Sequence, residues 1–77
     1  PIMQYDELGK YIKLKREETG LSLNKFAQDA DVDCAILCRI ENQKQGIKLN
    51  ILEKIANKSG KSPADFLKDF ENYINYS

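Results

Sequence analysis

Apolar residues recur along this chain at spacings of three and four, the period of a helix with one buried face. No stretch alternates as a half-buried strand would. The first segment runs from about Tyr5 to Thr19, with Tyr5, Leu8, Tyr11 and Ile12 on one stripe and Gly20 as its stop. Lys15 falls on the same stripe, where its aliphatic stem covers apolar surface while its ammonium reaches water. Ser22 suits an N-cap, its hydroxyl accepting from a free backbone N–H. It opens a second helix with Leu23, Phe26, Ala27 and Ala30 at i, i+3, i+4 and i+7. Asp31-Val32-Asp33 interrupts this pattern: Asp31 tolerates the left-handed conformation of a tight turn, and Asp33 caps the next helix. That third helix is short, spanning about Cys34 to Glu41, with Leu37 and Ile40 as its inward pair. After a polar linker, Asn42 to Lys48, a fourth helix covers about Leu49 to Ser59, with Leu52, Ile55 and Ala56 inward and Gly60 as its stop. Ser62-Pro63-Ala64-Asp65 then combines an N-cap, a proline at the first helical position and an acid in the first turn. The fifth helix that it opens carries Phe66, Leu67, Phe70, Tyr73 and Ile74.

The expected architecture is therefore all-α, with five helices in one domain spanning 1–77. The length, 77 residues, fits that reading. A composition of 42% hydrophobic and 31% charged residues is globular, not disordered. No apolar run approaches the roughly 18 residues of a membrane span, and no basic-plus-apolar leader opens the chain. Residue 1 is Pro1 and not Met, as at a processed end, so Pro1 to Gln4 carry no structural weight here. Cys34 and Cys38 read as reduced thiols of a cytoplasmic protein.

These features argue against catalysis. The chain has no histidine, its cysteines have no neighbouring base, and neither a Gly-rich phosphate loop nor a paired-carboxylate motif is present. No catalytic residue, cofactor or metal site is expected, since two thiols fall short of the four ligands of structural zinc. Charge is balanced overall, with twelve basic and twelve acidic residues, but unevenly spread. Between Cys34 and Lys61, Arg39, Lys44, Lys48, Lys54, Lys58 and Lys61 face only Glu41 and Glu53, a net +4.

Two helices joined by a three-residue turn, the second one short, form a helix-turn-helix. Its spacing has a physical logic: Ala27 is small where the helices cross, Val32 plugs the turn, and Leu37 and Ile40 anchor the second helix so that its opposite face projects outward. Around this core stand Leu8-Gly9, Ile12, Arg16-Glu17-Glu18, Gly20-Leu21-Ser22, Phe26-Ala27, Arg39-Ile40-Glu41-Asn42, Leu49, Leu52, Ile55-Ala56, Gly60 and Ser62. As a linked set they resemble the Cro/repressor-type (XRE) helix-turn-helix regulators, over about residues 8–67. Residues 68–77 form an extension of the last helix.

The resemblance implies a lambda-repressor-like fold and a transcriptional regulator, a repressor, that binds double-stranded DNA as a homodimer. The third helix would enter the major groove of a palindromic operator and present Cys34, Ala35, Ile36, Cys38 and Arg39 to base edges. Ser22, Asn24 and Lys25, at the start of helix two, would sit over a phosphate. Asn42, Gln43, Lys44, Gln45 and Lys48 would touch the backbone further along. Arg16 and Glu41 match a buried ion pair of the family. Phe70, Tyr73 and Ile74 would serve dimerisation, because one short helix reads too few bases alone. No membrane partner or small-molecule effector is implied.

The chain departs from the family pattern at several functional positions. Leu23 stands where a DNA-touching glutamine is common, Asp31 replaces a turn glycine, and Gln43 replaces the glycine that often follows Glu-Asn. The reading face is apolar apart from Arg39, and Asp31 and Asp33 place negative charge near the expected phosphates. An alternative on the same fold is an antitoxin-like or other protein-interaction module that uses the apolar third-helix face.

Overall fold

A computed structural model describes residues 5–76, with side chains from residue 7 onward. Pro1 to Gln4 and the Tyr5 side chain, placed above on the first stripe, lie outside the described side chains. Five helices occur in order: α1 (Tyr5–Thr19), α2 (Leu23–Ala30), α3 (Cys34–Glu41), α4 (Leu49–Lys58) and α5 (Pro63–Tyr76). There is no strand among the described residues. The all-α, five-helix expectation therefore holds, and α4 ends one residue earlier than expected, with Ser59 as its cap.

Local chemistry sets the boundaries. Ser22 Oγ accepts from the Lys25 N–H, Asp33 Oδ1 from the N–H groups of Ala35 and Ile36, and Ser62 Oγ from that of Asp65. Each satisfies first-turn donors that have no intrahelical acceptor. At the other ends, α2, α3 and the α4 segment close in the same way. Val32 N–H donates to Ala27 O (2.9 Å) and Asp31 N–H to Gln28 O (3.2 Å). Lys44 and Gln43 repeat this on Arg39 and Ile40, and Lys61 and Gly60 on Ala56 and Asn57. This paired closure needs a left-handed residue. Gly60 supplies it at φ 77, but Asp31 (φ 62) and Gln43 (φ 60) adopt it with side chains, at the two positions where glycine is replaced.

The core is built from the predicted faces of the first four helices, Leu8, Tyr11 and Ile12 of α1, Phe26, Ala27 and Ala30 of α2, Leu37 and Ile40 of α3, and Leu52, Ile55 and Ala56 of α4, together with Phe66 and Phe70 of α5. Val32 is buried in the turn. Helix α2 packs on α3 and α4, α1 on α3 and α5, and α4 on α5, so α3 is held from behind by two helices. Tyr11 is the centre of an aromatic cluster with Phe66, Phe70 and Tyr73, at ring centroid distances of 5.5, 5.4 and 5.1 Å. Lys15 Nζ lies 5.2 Å from the Tyr11 ring centroid, covering it as expected.

The structure corrects one expectation for α5. Phe70, assigned above to a dimer surface with Tyr73 and Ile74, is only 1% exposed. It is one helical turn from Phe66 on the same inward stripe and fills the core against Tyr11. Tyr73 and Ile74 lie where the stripe runs off the end of the core, and both are exposed, as is Tyr76.

Candidate nucleic-acid interface

Helix α3 is fixed at three points, and these decide which side chains it shows to solvent. Leu37 and Ile40 are buried beneath it. Gly9 of α1 allows the closest approach: a Cβ there would lie 2.1 Å from the Ile40 carbonyl oxygen. Glu41, 4% exposed, takes both forks of Arg16, with Nε to Oε2 at 2.8 Å and Nη2 to Oε1 at 3.0 Å. Arg16 Nη1 also donates to Leu21 O at 3.0 Å, so one guanidinium joins α1, the loop before α2 and the end of α3. The Glu41 hydrogen bond raises the Arg16 pKa further above its ordinary value, and burial opposes this less strongly. The expected Arg16–Glu41 pair is thus formed in bidentate geometry.

Opposite this anchorage, the remaining α3 residues differ in what they offer. Ala35 and Arg39 are exposed, and the Arg39 guanidinium has no ion-pair partner among the described residues. Cys34 and Cys38 are half-buried. The Cys34 thiol donates to Asn24 Oδ1 (2.6 Å), which ties the first turn of α2 to the first turn of α3. Asn42 Nδ2 donates to Cys38 O (2.9 Å) and lies 3.3 Å from Cys38 Sγ. Ile36, expected to face outward, is half-buried and packs on the core. Leu23, where the family often has glutamine, does the same, so that substitution adds packing instead of a polar contact.

The flanking positions also divide. Ser22 is exposed and, while capping, keeps its O–H free to donate. Lys25 is exposed, with its ammonium 3.3 Å from Asp29. Lys44 and Lys48 are exposed and have no ion pair among the described residues. Gln43 is half-buried, its amide donating to Glu41 O at 2.5 Å, which supports the left-handed turn.

The acids near α2 and α3 are largely occupied. Asp29 has Lys25 and Lys58 (3.9 Å) beside it, Asp31 has Lys54 at 3.6 Å, and the Asp33 carboxylate caps α3. Lys54 and Lys58 of α4 thus offset the negative charge at the turn. Gly9 stands in the sequence among the positions of the resemblance, but its role in the close approach to α3 is seen only in the fold, and the Asn24–Cys34 contact joins residues ten apart and left no signal.

No protein-family profile matches the chain, and no solved structure matches it. A protein from a Mycoplasma species, Control protein C.MunI, is 37% identical over 62 residues, covering 80% of this chain and 84% of that relative. The chain belongs to the control-protein family. A match of 62 residues within 77 must include residues 16–62 wherever it begins, so the family likeness contains Arg16, α2, the turn, α3 and Glu41. No helix among the described residues is long and apolar enough to cross a membrane.

Proposed function

We propose that this protein is a sequence-specific DNA-binding transcriptional regulator, a repressor, that acts as a homodimer in the cytoplasm. The observation that carries the reading is the outward face of a rigidly anchored α3, where Ala35 and the unpaired Arg39 project beside the first turn of α2. Kinship with a control protein supports a regulatory role. Arg39 takes a guanine edge bidentately, and Ala35 meets a thymine methyl. The exposed Ser22 and the first-turn amides of α2 hold one phosphate, while Lys44 and Lys48 hold the backbone beyond the reading helix. Cys34, Cys38 and the remaining surface of Ile36 complete an apolar floor against the bases. Tyr73 and Ile74 of α5 join two copies, so that two α3 helices meet successive major grooves of a palindromic operator.

The test is selection of bound sequences from a randomised duplex pool, with Arg39→Ala run beside the wild type. The expected motif is two-fold symmetric, with half-sites about 10 base pairs apart. Arg39→Ala weakens binding by about 1–3 kcal/mol and relaxes one base position in each half-site. Binding also falls steeply with salt, as counterion release requires. A folded protein that enriches nothing at low salt refutes the DNA reading and leaves the protein-interaction module.

A further inference from the structure

Both cysteines of the chain lie on α3, four residues apart, free of disulfide and half-buried. At about 100° per residue the two lie on one strip of the helix, Cys34 packed on the edge of the core and Cys38 towards the exposed Ala35 and Arg39. Helical positions i and i+4 hold their Cβ atoms about 5–6 Å apart. A disulfide needs roughly 3.5–4.5 Å, so an intact α3 does not close one. A single atom bonded to both sulfurs, with bonds about the 2.3 Å of a metal thiolate, spans the gap without bending the helix. The Cys34 thiol packs on the edge of the core and donates to Asn24, the Cys38 thiol meets only the Asn42 amide, and both asparagines are exposed. Among the described residues no group of three or more Cys, Asp or Glu is placed to hold a metal, which disfavours a four-coordinate ion and leaves two soft ligands alone.

We propose that Cys34 and Cys38 form a dithiol site for a soft thiophile that bridges both sulfurs, of the chemical class of trivalent arsenicals, and that its occupation removes DNA from α3. With a monosubstituted arsenic oxide, two As–S bonds form and the As–O bond breaks. Both thiol protons leave with that oxygen as water, and arsenic stays trivalent. The bridged atom and its substituent then stand on the face that reads bases. The effect on DNA rests on the function proposed above; the capture of arsenic does not.

The probe is phenylarsine oxide, added to the full chain at equal concentration and read by intact mass, with helix content followed by circular dichroism. The expected product is one adduct per chain, formed with loss of one water. Cys34→Ser and Cys38→Ser bind the probe at least about 100-fold more weakly, since each loses the chelate; Cys34→Ala and Cys38→Ala replace them if either serine variant loses helix. On duplex recovered by the selection, the bridged protein binds about tenfold or more weakly, the loss of at least one good base contact. Ethanedithiol restores it, and the single-cysteine variants do not respond. Absence of the adduct, or single variants that hold the probe as tightly as wild type, overturns the site. A bridged protein that binds DNA unchanged overturns its control of α3. A chain that binds no DNA before arsenic is added refutes the proposed function, and the mass measurement then decides the dithiol site by itself.

Discussion

Replacing Glu41 with leucine strands a charge that the fold has taken out of water. Arg16 is 13% exposed and makes three hydrogen bonds, two of them to Glu41. Glu41→Leu leaves the guanidinium with only the Leu21 carbonyl and a narrow opening to solvent. Removing one partner of a buried pair costs about 3–5 kcal/mol, and the residual solvent access of Arg16 places this case at about 3 kcal/mol. For a domain of this size that corresponds to a fall in Tm of at least about 12 °C. The urea midpoint moves down by about 1 M or more. The double variant Arg16→Met, Glu41→Leu removes the stranded charge and fills the space with apolar atoms, so it recovers most of the loss. Because the guanidinium is held above its already high ordinary value, its contribution is complete throughout the neutral range. It is lost only as pH rises through the folded value, so the comparison is insensitive to buffer near neutrality. A Glu41→Leu cost below about 1 kcal/mol, or a double variant less stable than the single, refutes the claim that the buried charge needs its partner.

Two further predictions test the packing. Gly9→Ala gains about 0.5–1 kcal/mol of helix propensity, but its Cβ meets the Ile40 carbonyl oxygen, so thermal unfolding shows a net loss of about 1–3 kcal/mol. A Tm equal to wild type or higher disproves the close approach of α1 to α3. Phe70→Ala costs about 3–5 kcal/mol as a core cavity, whereas Tyr73→Ala costs about 0.5–1.5 kcal/mol from its ring contact with Tyr11 and shifts sedimentation from dimer towards monomer. A Tyr73→Ala dimer as tight as wild type removes α5 from the proposed interface.

How much of the fold and the site was legible in the sequence differs from residue to residue. The helix starts at Ser22, Asp33 and Ser62 could be read because a cap is a contact between a side chain and an amide two or three residues on. The inward faces could be read because a helix of fixed period turns spacing into direction. The left-handed residues were only half legible: Asp31 was expected to turn, while Gln43 showed only as a glycine replaced.

The chain's local pattern thus determined five helices, their caps and the buried stripe of each, since all of these depend on neighbours within about one turn. Tertiary packing alone decided the rest. It placed Phe70 in the core and left Tyr73 outside, because the aromatic stripe of α5 continues unbroken while the core under it ends. It turned Lys54 and Lys58 of α4 towards Asp31 and Asp29, and joined the Cys34 thiol to Asn24 of α2. These contacts depend on how helices distant in sequence cross, and a crossing is set by the fit of whole side-chain surfaces, which no local spacing encodes.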